Sequence, residues 1–134
     1  MPRAAQQPGL LEGVRVVEFS QLIAAPFCGL TLLDLGADVI KVEPPAGDPM
    51  RSFPPFFDGG QSALFAALNR GKRSVVIDLA DADGRRLAGK LIAGSDVVVE
   101  NLGDSRRLLG VSFHGLSDLP QEPAAPSPQL RLFD

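Results

Sequence analysis

The chain has 134 residues, enough for one domain, and its 45% hydrophobic and 22% charged residues are the balance of a soluble globular protein. A net charge of −3, no basic run and no Trp or Tyr argue against a nucleic-acid partner. Cys28 and His114 are the single Cys and His, which excludes an internal disulfide and a Cys/His zinc site, and no signal-peptide core or bilayer-length apolar run is present, so a cytoplasmic location with no membrane partner is expected.

Residues 14–19 form a short β-branched run and read as a strand. Residues 26–35 read as a helix, with Pro26 suited to the first turn and Gly36 to the position past the end. Within it Cys28 reads as a small buried hydrophobe rather than a nucleophile. Residues 38–42 give a second strand. Residues 44–60 hold five prolines and three glycines, a loop long enough to favour a functional role or a packed surface excursion. A short helix is expected over 62–68 and a third strand over 73–79. Asp81 caps the next helix, with Leu87, Leu91 and Ile92 on one face and Arg85, Arg86 and Lys90 toward water. Gly94 ends it, residues 97–99 make a fourth strand, and a short helix is expected over 105–109. Strands that are continuous apolar runs, alternating with helices, imply a Rossmann-like open parallel sheet with flanking helices, an α/β fold. After Leu119 four prolines fall within nine residues, and the text reads as a tail.

The turn from Ser20 to Pro26 contains no glycine, so a dinucleotide site of the G-x-G-x-x-G type is not expected. The small residues Ala24 and Ala25 permit either close approach of a ligand to a helix N-terminus or tight packing on the sheet. Asn69-Arg70-Gly71-Lys72-Arg73-Ser74 sets three cations around a glycine turn, either a phosphate contact or a solvated turn. Asn101 follows the fourth strand, where open α/β sheets bind ligands, although a turn role suits it equally. Asp48 and Asp78 do not form a convincing phosphoacceptor arrangement with a companion Lys.

Several blocks in order resemble class III CoA-transferases, the CaiB/BaiF family. They are Leu11-Glu12-Gly13-Val14-Arg15-Val16-Val17-Glu18-Phe19, then Ala25-Pro26, and then Leu33-Asp34-Leu35-Gly36-Ala37-Asp38-Val39-Ile40-Lys41-Val42-Glu43-Pro44-Pro45. Gly47-Asp48-Pro49-Met50-Arg51, the 69–79 block and Asp96-Val97-Val98-Val99-Glu100-Asn101 continue the resemblance. It implies part of the large domain of that fold, over residues 11–119, between a tail at 1–10 and a Pro-rich tail at 120–134. It also implies transfer of CoA from an acyl-CoA to a carboxylic acid through a catalytic aspartate. CoA or acyl-CoA is then a substrate, with no permanently bound cofactor. The related α-methylacyl-CoA racemases share the fold but move a proton at the α-carbon.

By position, the resemblance implies CoA contacts at Leu22, Ile23 and Ala24 in the first turn and at Pro44 after the second strand. It adds Ile77 and Ala80 on the adenine side, and Asn101 and Leu102 after the fourth strand, where Leu102 replaces the usual Phe. Arg107 is the phosphate-binding match, with Arg106 as a rival. The Pro-Gly that usually follows is missing. No residue matches the catalytic aspartate, and Asp134 is not equivalent to it. Family members form homodimers, so a homo-oligomer or a second chain completing the fold is expected. The alternatives are a non-catalytic chain that needs a partner to fold, a racemase-like fragment, and an unrelated flavodoxin-like domain.

Overall fold

The computed structural model describes residues 9–102 and the backbone of residues 110–113. Strands β1 (Arg15–Phe19), β2 (Asp38–Glu43), β3 (Arg73–Val76), β4 (Val97–Glu100) and β5 (Gly110–Phe113) form one sheet in the order β3-β2-β1-β4-β5. The first four run parallel, with Val17 opposite both Ile40 and Val98. The chain therefore builds outward from β1 through β2 to β3, then crosses to the other side of β1 for β4. That reversal opens a crevice between the carboxyl ends of β1 and β4.

Alternation along the strands sorts side chains onto two faces. Helix α1 (Ala24–Asp34) covers one, where Val16, Val39, Val97 and Val99 pack against Ala25, Cys28, Leu32 and Leu33. Helix α3 (Ala82–Ala93) covers the other, where Val17, Phe19, Val42, Ile77 and Val98 pack against Ala88, Leu91 and Ile92. The short α2 (Ala63–Asn69) is capped by the Ser62 hydroxyl, which accepts from Phe65 N–H, and packs beside α1.

The expected open α/β sheet of four parallel strands is present, with differences in detail. Helix α1 starts two residues earlier than expected, because Pro26 occupies its third position rather than its first. β3 ends at Val76, although Ile77 N–H still donates to the Glu43 carbonyl at 2.9 Å. β3 also pairs with β2 alone among the described residues, and Val76 is 62% exposed. The apolar strand expected to run to residue 79 therefore stops short, and of residues 75–79 only Val75 and Ile77 join a core. Leu87 is 46% exposed and not on the buried face of α3. Gly84 sets that face, because a Cβ there would lie 1.8 Å from the Asp78 carbonyl oxygen. The face in contact therefore runs through residues 84, 88, 91 and 92. Strand β5, antiparallel to β4, was not anticipated. The helix expected over 105–109 and the tail at 120–134 lie outside the described residues. Among the described residues no helix is long and apolar enough to cross a membrane, and no cluster of His, Cys, Asp or Glu could hold a metal.

Candidate functional site

A cleft of about 200 Å³ opens at the carboxyl ends of β1, β2 and β3. Phe19, Val42, Pro44, Ile77, Leu79, Ala80 and Leu102 give it apolar walls, and Ser20, Gln21, Glu43 and Asp78 its polar rim. Ile77 forms the floor because the extended backbone after β3 still pairs with Glu43. Asp78 turns the chain there: its carboxylate accepts from Ala80 N–H at 2.9 Å, which directs Ala80 to the rim. No Lys or Arg lines the cleft among the described residues. It therefore suits a flat apolar ring, and any phosphate attached to that ring must find its cation elsewhere.

The connection from β1 to α1 borders the cleft and is held from three sides. The Asn101 carboxamide accepts from Gln21 N–H at 2.9 Å and donates to the Gln21 carbonyl at 2.8 Å, joining the ends of β1 and β4 across the crevice. Lys41 Nζ donates to the Ser20 carbonyl and hydroxyl, both at 3.0 Å. Asp48 Oδ1 accepts from Leu22 N–H at 3.2 Å. Leu22 has φ of 63°, the single positive value outside glycine among the described residues. No side chain caps α1 and no acidic residue stands in its first turn, so the start of the helix is available to an anion.

Behind this turn, on the α1 face, lie four buried charges. Glu18 contacts Lys41 at 3.3 Å and Lys72 at 2.8 Å, and Lys41 contacts Asp48 Oδ2 at 2.9 Å. Two carboxylates balance two ammonium groups, the condition under which burial of charge is tolerated. Lys72 also donates to the Pro26 carbonyl and to Asn69, yet burial lowers its pKa. Burial likewise pushes the Cys28 thiol up, as suits a packing role rather than a nucleophile. Gly29 makes room for the network: a Cβ there would sit 1.7 Å from Glu18 Oε2.

A second pair stands at the end of β2. Arg51 grips Glu43 through two hydrogen bonds of 2.8 and 2.7 Å while stacking 3.8 Å over the Phe65 ring. Ser74 and the Asp48 N–H also donate to that carboxylate. The Arg51 hydrogen bonds are the main reason its pKa falls to about 2.

Of the residues expected at a ligand site, Pro44, Ile77, Ala80 and Leu102 line the one cleft. Leu22, Ile23 and Ala24 do not line it; they are exposed on the turn that follows Gln21, with Ile23 61% exposed. Asn101 spends its carboxamide on Gln21 and positions the turn. Arg107 and its rival Arg106 lie outside the described residues. The 69–74 cations face neither a phosphate site nor open water alone. Arg70 pairs with Asp34, Arg73 with Asp38 and Lys72 with Glu18, at the amino end of β3, away from the cleft.

Sequence reasoning missed Glu18, Lys41 and Asp48. Glu18 and Lys41 each interrupt an apolar strand, and they stand opposite each other in the β1–β2 register. A charge inside a strand buried on both faces was the signal available.

Residues 11–118 match the profile of CoA-transferase family III. The chain is 46% identical over 97 residues to succinyl-CoA:mesaconate CoA-transferase of Haloarcula hispanica, covering 69% of this chain and 24% of that protein. It is 45% identical over 114 residues to succinate–glutarate CoA-transferase of Agrobacterium fabrum, covering 79% and 28%. A 2-methylfumaryl-CoA isomerase of Chloroflexus aurantiacus matches at 46% over 85 residues, covering 63% of this chain and 21% of the isomerase. The crystal structure of a CaiB/BaiF family protein from Brucella suis superposes with a TM-score of 0.68 at 49% identity, over 72% of this chain and 26% of that one. The chain thus spans about a quarter of the length of the curated relatives it matches. With the family profile matched over most of its length and the sheet shared with a solved member, this chain belongs to CoA-transferase family III.

Proposed function

We propose that these residues form part of the CoA-binding surface of a family III enzyme. The adenine end of CoA enters the cleft between Pro44, Ile77 and Ala80. The rest of the ligand runs past Leu102 and Gln21 toward Leu22, Ile23 and Ala24 at the start of α1. The observation that carries this reading is one apolar cleft beside the crevice where the strand order reverses, lined by four of the residues expected from the family resemblance. Because the described cleft offers carboxylates and no cation, the phosphates require a group such as Arg107.

A matching isomerase beside matching transferases supports a role in holding CoA, which both chemistries need, rather than in choosing between them. A family III CoA-transferase is the reading favoured by the matched profile, with acyl-CoA as donor and a carboxylic acid as acceptor. No residue of this chain matches the family's catalytic aspartate. We therefore infer that the 134 residues on their own bind CoA without turning it over. Exposed Phe27, Phe53, Phe56 and Phe57, and the edge of β3 that is unpaired among the described residues, support association with a second copy or with a chain completing the fold.

Calorimetric titration of CoA into the chain and into Ala24→Trp tests the reading. Ala24 is exposed at the first position of α1, so the indole is tolerated by the fold but stands over the ligand path. The expected result is saturable binding that the substitution weakens by about tenfold or more. Equal affinity in both chains, or no saturation in either, contradicts it.

A further inference from the structure

None of the buried charges Glu18, Lys41, Lys72 and Asp48 lines the cleft. Apolar side chains would fill the same space with less desolvation cost, as they do on the α3 face. What the charges do reach is the β1–α1 turn. Lys41 holds both oxygens of Ser20, and Asp48, in contact with Lys41 through Oδ2, reaches Leu22 N–H with Oδ1. Leu22 requires such a hold, because a γ-branched side chain at φ of 63° is strained where glycine would not be. Asp48 is itself fixed: its N–H donates to Glu43, and its Oδ1 also accepts from Met50 N–H, capping the 3₁₀ turn Pro49–Ser52.

We propose that Asp48 is a positioning residue for the ligand. Anchored by Lys41 on one side and by Glu43 and the 3₁₀ turn on the other, it keeps Leu22 in the left-handed conformation. It thereby aims the exposed turn and the uncapped start of α1 at the bound molecule. A turn that visits the competent conformation only part of the time lowers the apparent affinity by that fraction. The identity of the ligand rests on the CoA reading above; the clamp on Leu22 does not.

A double-mutant cycle on the full chain separates the two. Asp48→Ala, Leu22→Gly and their combination are compared with the wild type by amide nitrogen–proton NMR spectra and by CoA titration. If Asp48→Ala does not give a dispersed spectrum, Asp48→Leu, close to Asp in shape but with no oxygen to accept from Leu22 N–H, takes its place. The expected result is a displaced residue-22 amide and CoA affinity weakened about tenfold when position 22 is Leu, but less than about threefold when it is Gly, which adopts this φ without strain. A purely structural role for Asp48 would weaken both backgrounds by the same factor, and that result overturns the proposal. An unmoved Leu22 amide overturns the clamp itself. A wild-type chain that never saturates with CoA overturns the reading above and the ligand half of this one, while the amide shift still decides the clamp.

Discussion

The two faces of the sheet are built from different materials. On the α3 side, Val17, Phe19, Val42, Ile77 and Val98 meet Ala88, Leu91 and Ile92, and the core is apolar throughout. On the α1 side, apolar packing around Val16, Val39 and Val97 gives way, toward the carboxyl ends, to Glu18, Lys41, Lys72 and Asp48. Burial drives both, but only the second has direction. Hydrophobic contact is indifferent to small rotations, whereas an ammonium group with three acceptors fixes where each of them stands. The directional face lies under the turn proposed to meet the ligand, and the indifferent face supplies the cleft walls Phe19, Val42 and Ile77.

Removing one member of the charged set should produce the largest effect. Glu18→Ala leaves Lys41 and Lys72 without their shared carboxylate, and a loss of about 3–5 kcal/mol in urea unfolding is expected. A loss under about 1 kcal/mol would mean that the network is not paired as described. The matching change on the other face, Val17→Ala, removes two methyl groups from a fully buried site. It should cost about 2 kcal/mol by the same assay and leave the CoA-dependent behaviour of the turn unchanged.

Acidification offers a graded probe of the charged side. Glu43 has its pKa lowered from 4.5 to about 2, mainly by the Arg51 hydrogen bonds. A depressed folded-state pKa means that the stabilisation is complete above about pH 4.5 and is lost as pH falls through about 2. With Arg51 about half exposed to screening solvent, the amount is on the order of 2 kcal/mol. Urea melts across that window should slope for the wild type and flatten for Glu43→Gln; equal slopes would remove Glu43 from the acid response. The smallest effect is expected at Leu87, half exposed on α3, where Leu87→Ala should change stability by less than about 0.5 kcal/mol. A loss like that of Val17→Ala would show that the buried face of α3 has been misassigned.

Much of this contrast was legible in the sequence, and the rest was not, for identifiable reasons. Runs such as Val97-Val98-Val99 and the caps at Asp81 and Gly94 act locally, so strand and helix positions could be read from neighbouring residues. Leu87 was misplaced because a helical period fixes which residues share a stripe but not which stripe meets the sheet. Gly84, pressed against the Asp78 carbonyl, makes that choice. Pro44, Ile77, Ala80 and Leu102 were assembled through family resemblance, and they converge on one cleft from segments nearly sixty residues apart. Asn101 looked equally suited to ligand or turn until its two bonds to Gln21 were seen. The role of Asp48 was invisible, since it depends on Lys41 and Leu22 meeting in space from separate elements.

The central claim is that the cleft and the clamped turn together receive CoA. Titration of isotope-labelled chain with CoA, followed by amide shifts residue by residue, tests it most directly. Saturable shifts confined to residues 19–24, 42–44, 77–80 and 101–102, with helix α3 around Ala88 and Leu91 unmoved, are the predicted result. Shifts that avoid these segments, or that spread equally over both faces, would contradict it.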